Sequence, residues 1–458
     1  MNSLGAHKAY IYAMGISNPL VIKQYNEWMK KYPQNINIPL AIGTVYYNAE
    51  MPQAKQFLLR VVESEPGNAK VWYMLSADAE RWGQEDLSAK YMRKAALADS
   101  SNADYAFYYL LYFENGDPKE YARRVFDFVK RFPANNHGAQ ALYWLAENTI
   151  DANDKISYFE ELRKLYPPQK FQWSSVGMMR LTDAYLQINP EKALALINEM
   201  GGGKDWAIRK QVAESLIQVN KLEQDQNYKE ALLKLDEIKL PKFTHLQDFI
   251  VLKKFSLEAK AGDVKTAYDS VAARFARLPT DQLYTELELL GGKIGKNKAQ
   301  ISKDIVTIRN STAVTAYPFE LGLYTGNGTL NLNSLKGKVV LLTFWFPACG
   351  PCRDEFPHFQ AVINKFKGED VAYIGINISP DQDPYVIPFM KNTKYSFIPL
   401  RGSPEFAAKY YGVDGEPGNF LIDKNGKIVF KDFNIGSTNQ RTLQLMISSL
   451  LKKNQPDN

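Results

Sequence analysis

Phe344-Trp345-Phe346-Pro347-Ala348-Cys349-Gly350-Pro351-Cys352-Arg353-Asp354-Glu355-Phe356-Pro357 is the stretch that decides the fold of the C-terminal region. It holds the only two cysteines among 458 residues. Before it, Val339-Val340-Leu341-Leu342-Thr343-Phe344-Trp345-Phe346 is short, apolar and rich in β-branched and aromatic residues, the pattern of a buried strand. After it, Phe356, Phe359, Val362, Ile363 and Phe366 recur at helical spacing. The two cysteines therefore sit at a strand-to-helix turn, with Cys349 near the helix N-terminus. Free N–H groups and the helix dipole favour a thiolate there. Cys349 is the expected nucleophile. Cys352, one turn further in, is the more shielded sulfur, placed to resolve a mixed disulfide. Gly350 and Pro351 suit a tight first turn, and Trp345 supports the motif from the strand. Two blander readings stand beside this one. A static disulfide would close only a short loop, with little entropic gain. Half of a zinc site would need two further ligands, and of the four histidines His7, His137 and His245 are remote in sequence, leaving His358.

These residues resemble the thioredoxin superfamily, and within it the TlpA/ResA-like branch of envelope thiol–disulfide oxidoreductases. The lead-in Tyr317-Pro318-Phe319-Glu320-Leu321, followed by Gly328-Thr329-Leu330-Asn331-Leu332-Asn333-Ser334-Leu335-Lys336-Gly337-Lys338, is similar to that branch, and the likeness runs over roughly residues 313–454. The resemblance implies a cis-proline at Pro417 beside the dithiol; the rival reading is an ordinary trans turn proline. It implies a proton-handling role for Glu355, which as i+3 to Cys352 shares its helix face; the rival is a solvated surface acid. It also matches Pro357 to a helix-kinking proline, which bare physics supports. Departures from the pattern are Thr343 in place of a buried aspartate, Ala348 in place of a tryptophan before the first cysteine, and Glu416 in place of an uncharged residue before Pro417. An anion at Glu416 pointing inward would disfavour the thiolate. Further along, Val371 to Ile378 reads as a central strand. Residues 380–394 read as mostly helical, Phe420-Leu421-Ile422 and Lys427 to Phe430 as a hairpin across Asp423-Lys424-Asn425-Gly426, and Thr442 to Leu451 as a final amphipathic helix.

Residues 1–310 carry almost no strand signal. Prolines that end helices stand at Pro33, Pro66, Pro133 and Pro167, at intervals of 33, 67 and 34 residues, and Asp99-Ser100-Ser101-Asn102 fills the missing midpoint. That period resembles tetratricopeptide repeats. Trp72 and Leu75 fall in a first helix, and Ala54, Ala89 and Ala122 in second helices. Two later second helices begin near Tyr228 and Val264 and end at Pro241 and Pro279. The expected fold is thus two-part: an all-α helical-repeat solenoid of tetratricopeptide type over residues 1–310, and an α/β thioredoxin-like fold with a central mixed sheet over residues 311–458. Such a solenoid offers a concave surface for a peptide or protein ligand, with a spacer or dimerisation scaffold as the alternative.

Lysines and arginines number 56 against 50 acids, a net charge of +6, and no basic block stands out, so nucleic-acid binding is not indicated. No apolar run reaches the ~18 residues of a transmembrane helix. Met1 to Leu20 lacks a basic start followed by an apolar stretch, so it does not read as a signal peptide. Scarce cysteines suit an oxidising compartment. The resemblance implies the periplasm or cell envelope, with a leader outside this numbering; a cytoplasmic location is the minority reading. The implied activity is reduction of protein disulfides through Cys349 and Cys352, with no cofactor beyond that redox-active pair. The implied partners are a disulfide-containing protein substrate and a membrane thiol reductant, and cytochrome c maturation and general thiol maintenance are open as contexts. The rivals are a disulfide oxidase or isomerase, a binding-only scaffold, and a peroxidase of antioxidant type. The last is weakened by Phe346, where peroxidatic relatives carry a threonine or serine.

Overall fold

The computed structural model describes residues 3–242 and 244–451. Its first 313 residues contain eighteen α-helices among the described residues. They are α1 (Leu4–Met14), α2 (Pro19–Lys31), α3 (Asn37–Asn48), α4 (Ala54–Ser64), α5 (Ala69–Arg81), α6 (Glu85–Ala98), α7 (Ala103–Leu111), α8 (Pro118–Arg131) and α9 (Asn136–Asn148). There follow α10 (Ala152–Leu165), α11 (Gln172–Ile188), α12 (Pro190–Met200), α13 (Lys204–Gln224), α14 (Tyr228–Asp236), α15 (Gln247–Lys260), α16 (Val264–Arg277), α17 (Asp281–Lys293) and α18 (Lys298–Thr312).

The proline period has a local cause. A proline forces the residue before it out of the helical region. Tyr32, Glu65 and Tyr166, each preceding a proline, have φ of −131°, −125° and −128° and end α2, α4 and α10. Asp99 ends α6 in the same conformation, φ −131°, without a proline. The next helix is restarted there by Asn102, whose side chain accepts the backbone N–H groups of Asp104 and Tyr105. Trp72 and Leu75 are buried on α5. The Trp72 ring packs 5.5 Å from Tyr91 of α6, and its indole N–H donates to the Pro66 carbonyl at 2.8 Å. Pro279 follows the end of α16 directly after Leu278, whereas Pro241 lies beyond a longer stretch after α14.

The C-terminal region is built from β1 (Val314–Thr315), β2 (Glu320–Gly322), β3 (Thr329–Asn331), β4 (Val339–Trp345), α19 (Gly350–Asn364), β5 (Val371–Asn377), α20 (Asp383–Thr393), β6 (Ile398–Arg401), α21 (Pro404–Tyr411), β7 (Gly418–Ile422), β8 (Lys427–Lys431) and α22 (Gln440–Leu451). Six strands form one mixed sheet in the order β1-β8-β7-β4-β5-β6. β4, β5 and β6 run parallel, and β7 lies antiparallel to β4. Every residue of β4 is buried, which explains its unbroken apolar run. One sheet face carries Val340, Leu342, Phe344, Ile374, Ile376 and Phe420 in a common core. On the other face, Trp345 meets Phe356, Phe389 and Phe397 with ring centroids 5.3, 5.1 and 5.1 Å away.

Two compact units make up the chain. One joins Met1–Pro118 to Val314–Gln440 and Ile447–Asn458, so the first seven helices and the sheet belong to it together. The other is Lys119–Ala313 with Arg441–Met446. Its helices bury a core that includes Tyr268, Val271, Leu287 and Ile301. The same unit holds a buried ion pair, Arg209 Nε to Asp183 Oδ1 at 2.9 Å. Thr244 Oγ1 donates to the other Asp183 oxygen at 2.8 Å, so the buried charges are answered on both sides.

Candidate functional site

The strand-to-helix turn after β4 carries both cysteines. Cys349 is the N-cap of α19, Gly350 and Pro351 form its first turn, and Pro357 lies inside it. Cys349 and Cys352 are joined in a disulfide. The Cys352 backbone N–H donates to the Cys349 sulfur at 3.2 Å. Cys349 thus occupies the place where side-chain acceptors satisfy unpaired helix N–H groups. When the disulfide opens, the same N–H and the positive end of the helix stabilise a thiolate on Cys349. Cys352 is fully buried and Cys349 is 4% exposed.

Glu355 sits one turn after Cys352 and is a buried acid, 5% exposed, not a solvated one. Its oxygens accept from Asn419 Nδ2 at 2.7 Å and from the Ile435 backbone N–H at 2.8 Å. Burial pushes its carboxyl above the ordinary carboxylate range, and the Asn419 and Ile435 donors pull back the other way. Thr343 is buried in β4 and lies directly opposite Asn419 of β7. Asn419 also donates to the Phe433 carbonyl at 2.9 Å, so the buried polar group in this layer is an amide that holds Glu355.

The Glu416–Pro417 bond is cis. Both residues are half-buried. They lead into Gly418, which pairs with Phe344 near the end of β4, and this register brings Pro417 to the strand end that launches the cysteine turn. Trp345, the last residue of β4, is fully buried beneath that turn. Ala348 presents its backbone N–H to Gln382 Oε1 at 2.7 Å.

Three residues of the site were not singled out by the sequence reading. Arg353 bonds twice around the turn: its backbone N–H donates to the Cys349 carbonyl at 3.1 Å and its Nη1 to the Pro347 carbonyl at 2.9 Å. Gln382 arrives from a short 3-10 turn (Pro380–Gln382) and Asn419 from β7, both far along the chain, and no local pattern marks them. Only the position of Arg353, next to Cys352, could have drawn attention.

Residues 314–431 match a family model described as AhpC/TSA family. The chain is 32% identical over 105 residues to the thiol-disulfide oxidoreductase ResA of Bacillus subtilis (strain 168), a match covering 23% of this chain and 58% of that protein. It is 30% identical over 95 residues to the sporulation thiol-disulfide oxidoreductase A of the same organism, covering 20% and 58%. The chain thus spans somewhat over half the length of these curated relatives. Among solved structures, StoA from Bacillus subtilis is 24% identical, covering 28% of this chain and 96% of that one, with a TM-score of 0.25. A thioredoxin family thiol:disulfide interchange protein from Chlorobium tepidum TLS is 23% identical, covering 31% and 97%, with a TM-score of 0.28. The C-terminal region is a thioredoxin-like domain with ResA-like relatives.

Proposed function

We propose that the protein is a thiol–disulfide oxidoreductase that reduces disulfides of proteins in the cell envelope. The observation that carries this reading is the disulfide between an N-cap Cys349 and a fully buried Cys352 at one helix start. In the reduced protein, the Cys349 thiolate attacks one sulfur of a substrate disulfide. A mixed disulfide forms and one substrate thiolate leaves. Cys352 then loses its proton, with Glu355 as the proposed acceptor, and attacks the Cys349 sulfur. The second substrate thiolate leaves and the Cys349–Cys352 disulfide closes. Two electrons pass to the substrate, whose thiolates take up protons from Glu355 and water. An external dithiol, proposed to be a membrane reductant, restores the pair. Pro417 borders the groove in which the substrate segment lies, and the helical repeats recruit a protein partner.

The relatives named as thiol-disulfide oxidoreductases support this reading over the matched region. The test is covalent capture. Cys352→Ala in the full chain, offered a small disulfide-bonded protein, is expected to accumulate a mixed disulfide on Cys349 that added dithiothreitol releases. A Cys352→Ala protein that never forms an adduct, while its thiol remains alkylatable, rejects the mechanism.

A further inference from the structure

Within the first compact unit, helical residues reach the cysteine turn through two side-chain chains. In one, Glu80 of α5 accepts from Arg353 Nη2 at 2.9 Å, while Arg353 Nη1 holds the Pro347 carbonyl at 2.9 Å and its backbone N–H holds the Cys349 carbonyl at 3.1 Å. Glu80 is itself fixed by the Tyr112 hydroxyl, which donates to its other oxygen at 2.6 Å. In the second chain, Glu50, just after α3, accepts from Gln382 Nε2, and Gln382 Oε1 accepts the Ala348 N–H at 2.7 Å. Glu50 is anchored by Arg81 Nη2 at 3.2 Å. The backbone of 347–349 is thereby held by two chains, one ending on a carboxylate of α5 and the other on a carboxylate in the turn after α3. The contact region is built rather than incidental. Asp78 and Tyr385, both fully buried, are joined at 3.1 Å. Trp82 meets the Tyr385 ring edge-on at 5.3 Å. Gly83, at φ +67°, has no room for a side chain: a Cβ there would lie 2.7 Å from Thr393 and 3.0 Å from Phe389.

We propose that Glu80 and Glu50 are positioning residues for the dithiol turn, so that the helices set how readily Cys349 ionises. The inference rests on the exchange reading above. Its sign follows from charge. Glu80 pairs with the Arg353 cation and Glu50 with the Arg81 cation, and Asp354, next to Arg353, faces Arg353, Glu80 and Glu85. Removing either glutamate charge leaves a cation uncompensated, so each carboxylate disfavours a thiolate. A reduced form that gains less from ionisation gives a pair that donates electrons more readily.

The test uses the full chain with Glu80→Gln, Glu50→Gln, Arg353→Lys and, as a control, Glu63→Gln on the exposed side of α4. Two readouts are taken: the pH profile of Cys349 alkylation in the reduced protein, and the dithiol–disulfide equilibrium against glutathione. Glu80→Gln should move the alkylation midpoint to lower pH. It should also shift the glutathione equilibrium about tenfold toward the dithiol, which is about 30 mV for a two-electron couple. Glu50→Gln should move both readouts in the same direction, and Glu63→Gln should move neither. Arg353→Lys keeps the charge but loses the two-armed guanidinium geometry, so its alkylation midpoint should move less than that of Glu80→Gln. Thermal melts confirm folding, and if Glu80→Gln unfolds, Glu50→Gln decides. Wild-type profiles in both folded glutamine variants would overturn the positioning role and leave the exchange reading standing. No exchange with glutathione in the wild type would instead sink the exchange reading itself, and this inference with it.

Discussion

Two buried carboxylates in the first compact unit show how differently one charge can be housed. Glu355 is met by an amide and a backbone N–H, at 2.7 and 2.8 Å. Asp78, fully buried on α5, takes the Tyr385 hydroxyl at 3.1 Å. Burial pushes Asp78 from its ordinary 3.8 up to about 6, against the opposing pull of that hydroxyl and of the Arg81 and Lys55 charges. Because the folded value lies above the unfolded one, the stability Asp78 supports is fully present below pH 3.8 and is lost as pH rises through about 6. The rise corresponds to about 3 kcal/mol at 1.36 kcal/mol per pH unit. Asp78→Asn keeps the acceptor for Tyr385 and removes the charge. Its unfolding free energy should therefore gain on wild type between pH 4 and pH 7, by up to about 3 kcal/mol, and level off above. Denaturant melts at a series of pH values measure this, and a variant that loses ground at pH 7 would mean that Arg81 and Lys55 more than compensate the burial. The placement of Cys349 at a helix N-cap and of Cys352 one turn further in was legible because helix-terminus signals are local. The partners of Glu355 were not, since Asn419 and Ile435 lie 64 and 80 residues away.

At the scale of elements, the strand and helix either side of the cysteines follow directly from periodicity, and so do the pre-proline breaks that end α2, α4 and α10. Short elements were harder to read. β6 is four residues with Pro399 inside it, and β1 is two exposed residues, so neither carries an alternation long enough to recognise. Gly375 shows a different limit. In the sequence it interrupts an apolar strand without comment. In the structure it faces Thr343 across β4 and β5, and a Cβ there would lie 2.6 Å from the Phe397 ring and 2.9 Å from Trp345 Nε1. Trp345 and Phe397, packed with ring centroids 5.1 Å apart, fill the space a side chain would need. Gly375→Ala should therefore overpack the layer and cost roughly 1–3 kcal/mol. Chemical denaturation measures the loss, and the near-ultraviolet dichroism of Trp345 should change with it. An alanine variant of wild-type stability would mean that Phe397 swings away freely.

Across the whole molecule, sequence order and spatial grouping differ. Helical periodicity reports which side chains share a face, but not which element that face meets. Asp78 and Glu80 on α5 and Glu50 just after α3 carry no local signal of their partners, yet each bonds a residue roughly three hundred positions along the chain, with separations of 307, 273 and 332. The first seven helices and the sheet accordingly make one compact unit, although their secondary structure changes character only near residue 313. This grouping has a consequence for α20. Its Tyr385 is fully buried, with Asp78 and Trp82 among its partners, and the Asn392 side chain donates to the Trp82 carbonyl at 2.7 Å. A fragment of residues 311–458 lacks all of those partners. It leaves an aromatic hydroxyl and the ring edge in water where the full chain buries them. Local opening free energy falls when buried contacts are lost, and about 1.4 kcal/mol is a tenfold change in an opening equilibrium. Backbone amides of α20 should therefore exchange with deuterium at least about tenfold faster in the fragment than in the full chain. Amides of β4 and β5, enclosed within the sheet, should keep their protection. Equal exchange of α20 in the two proteins would show that the helices before Pro118 contribute nothing to holding it.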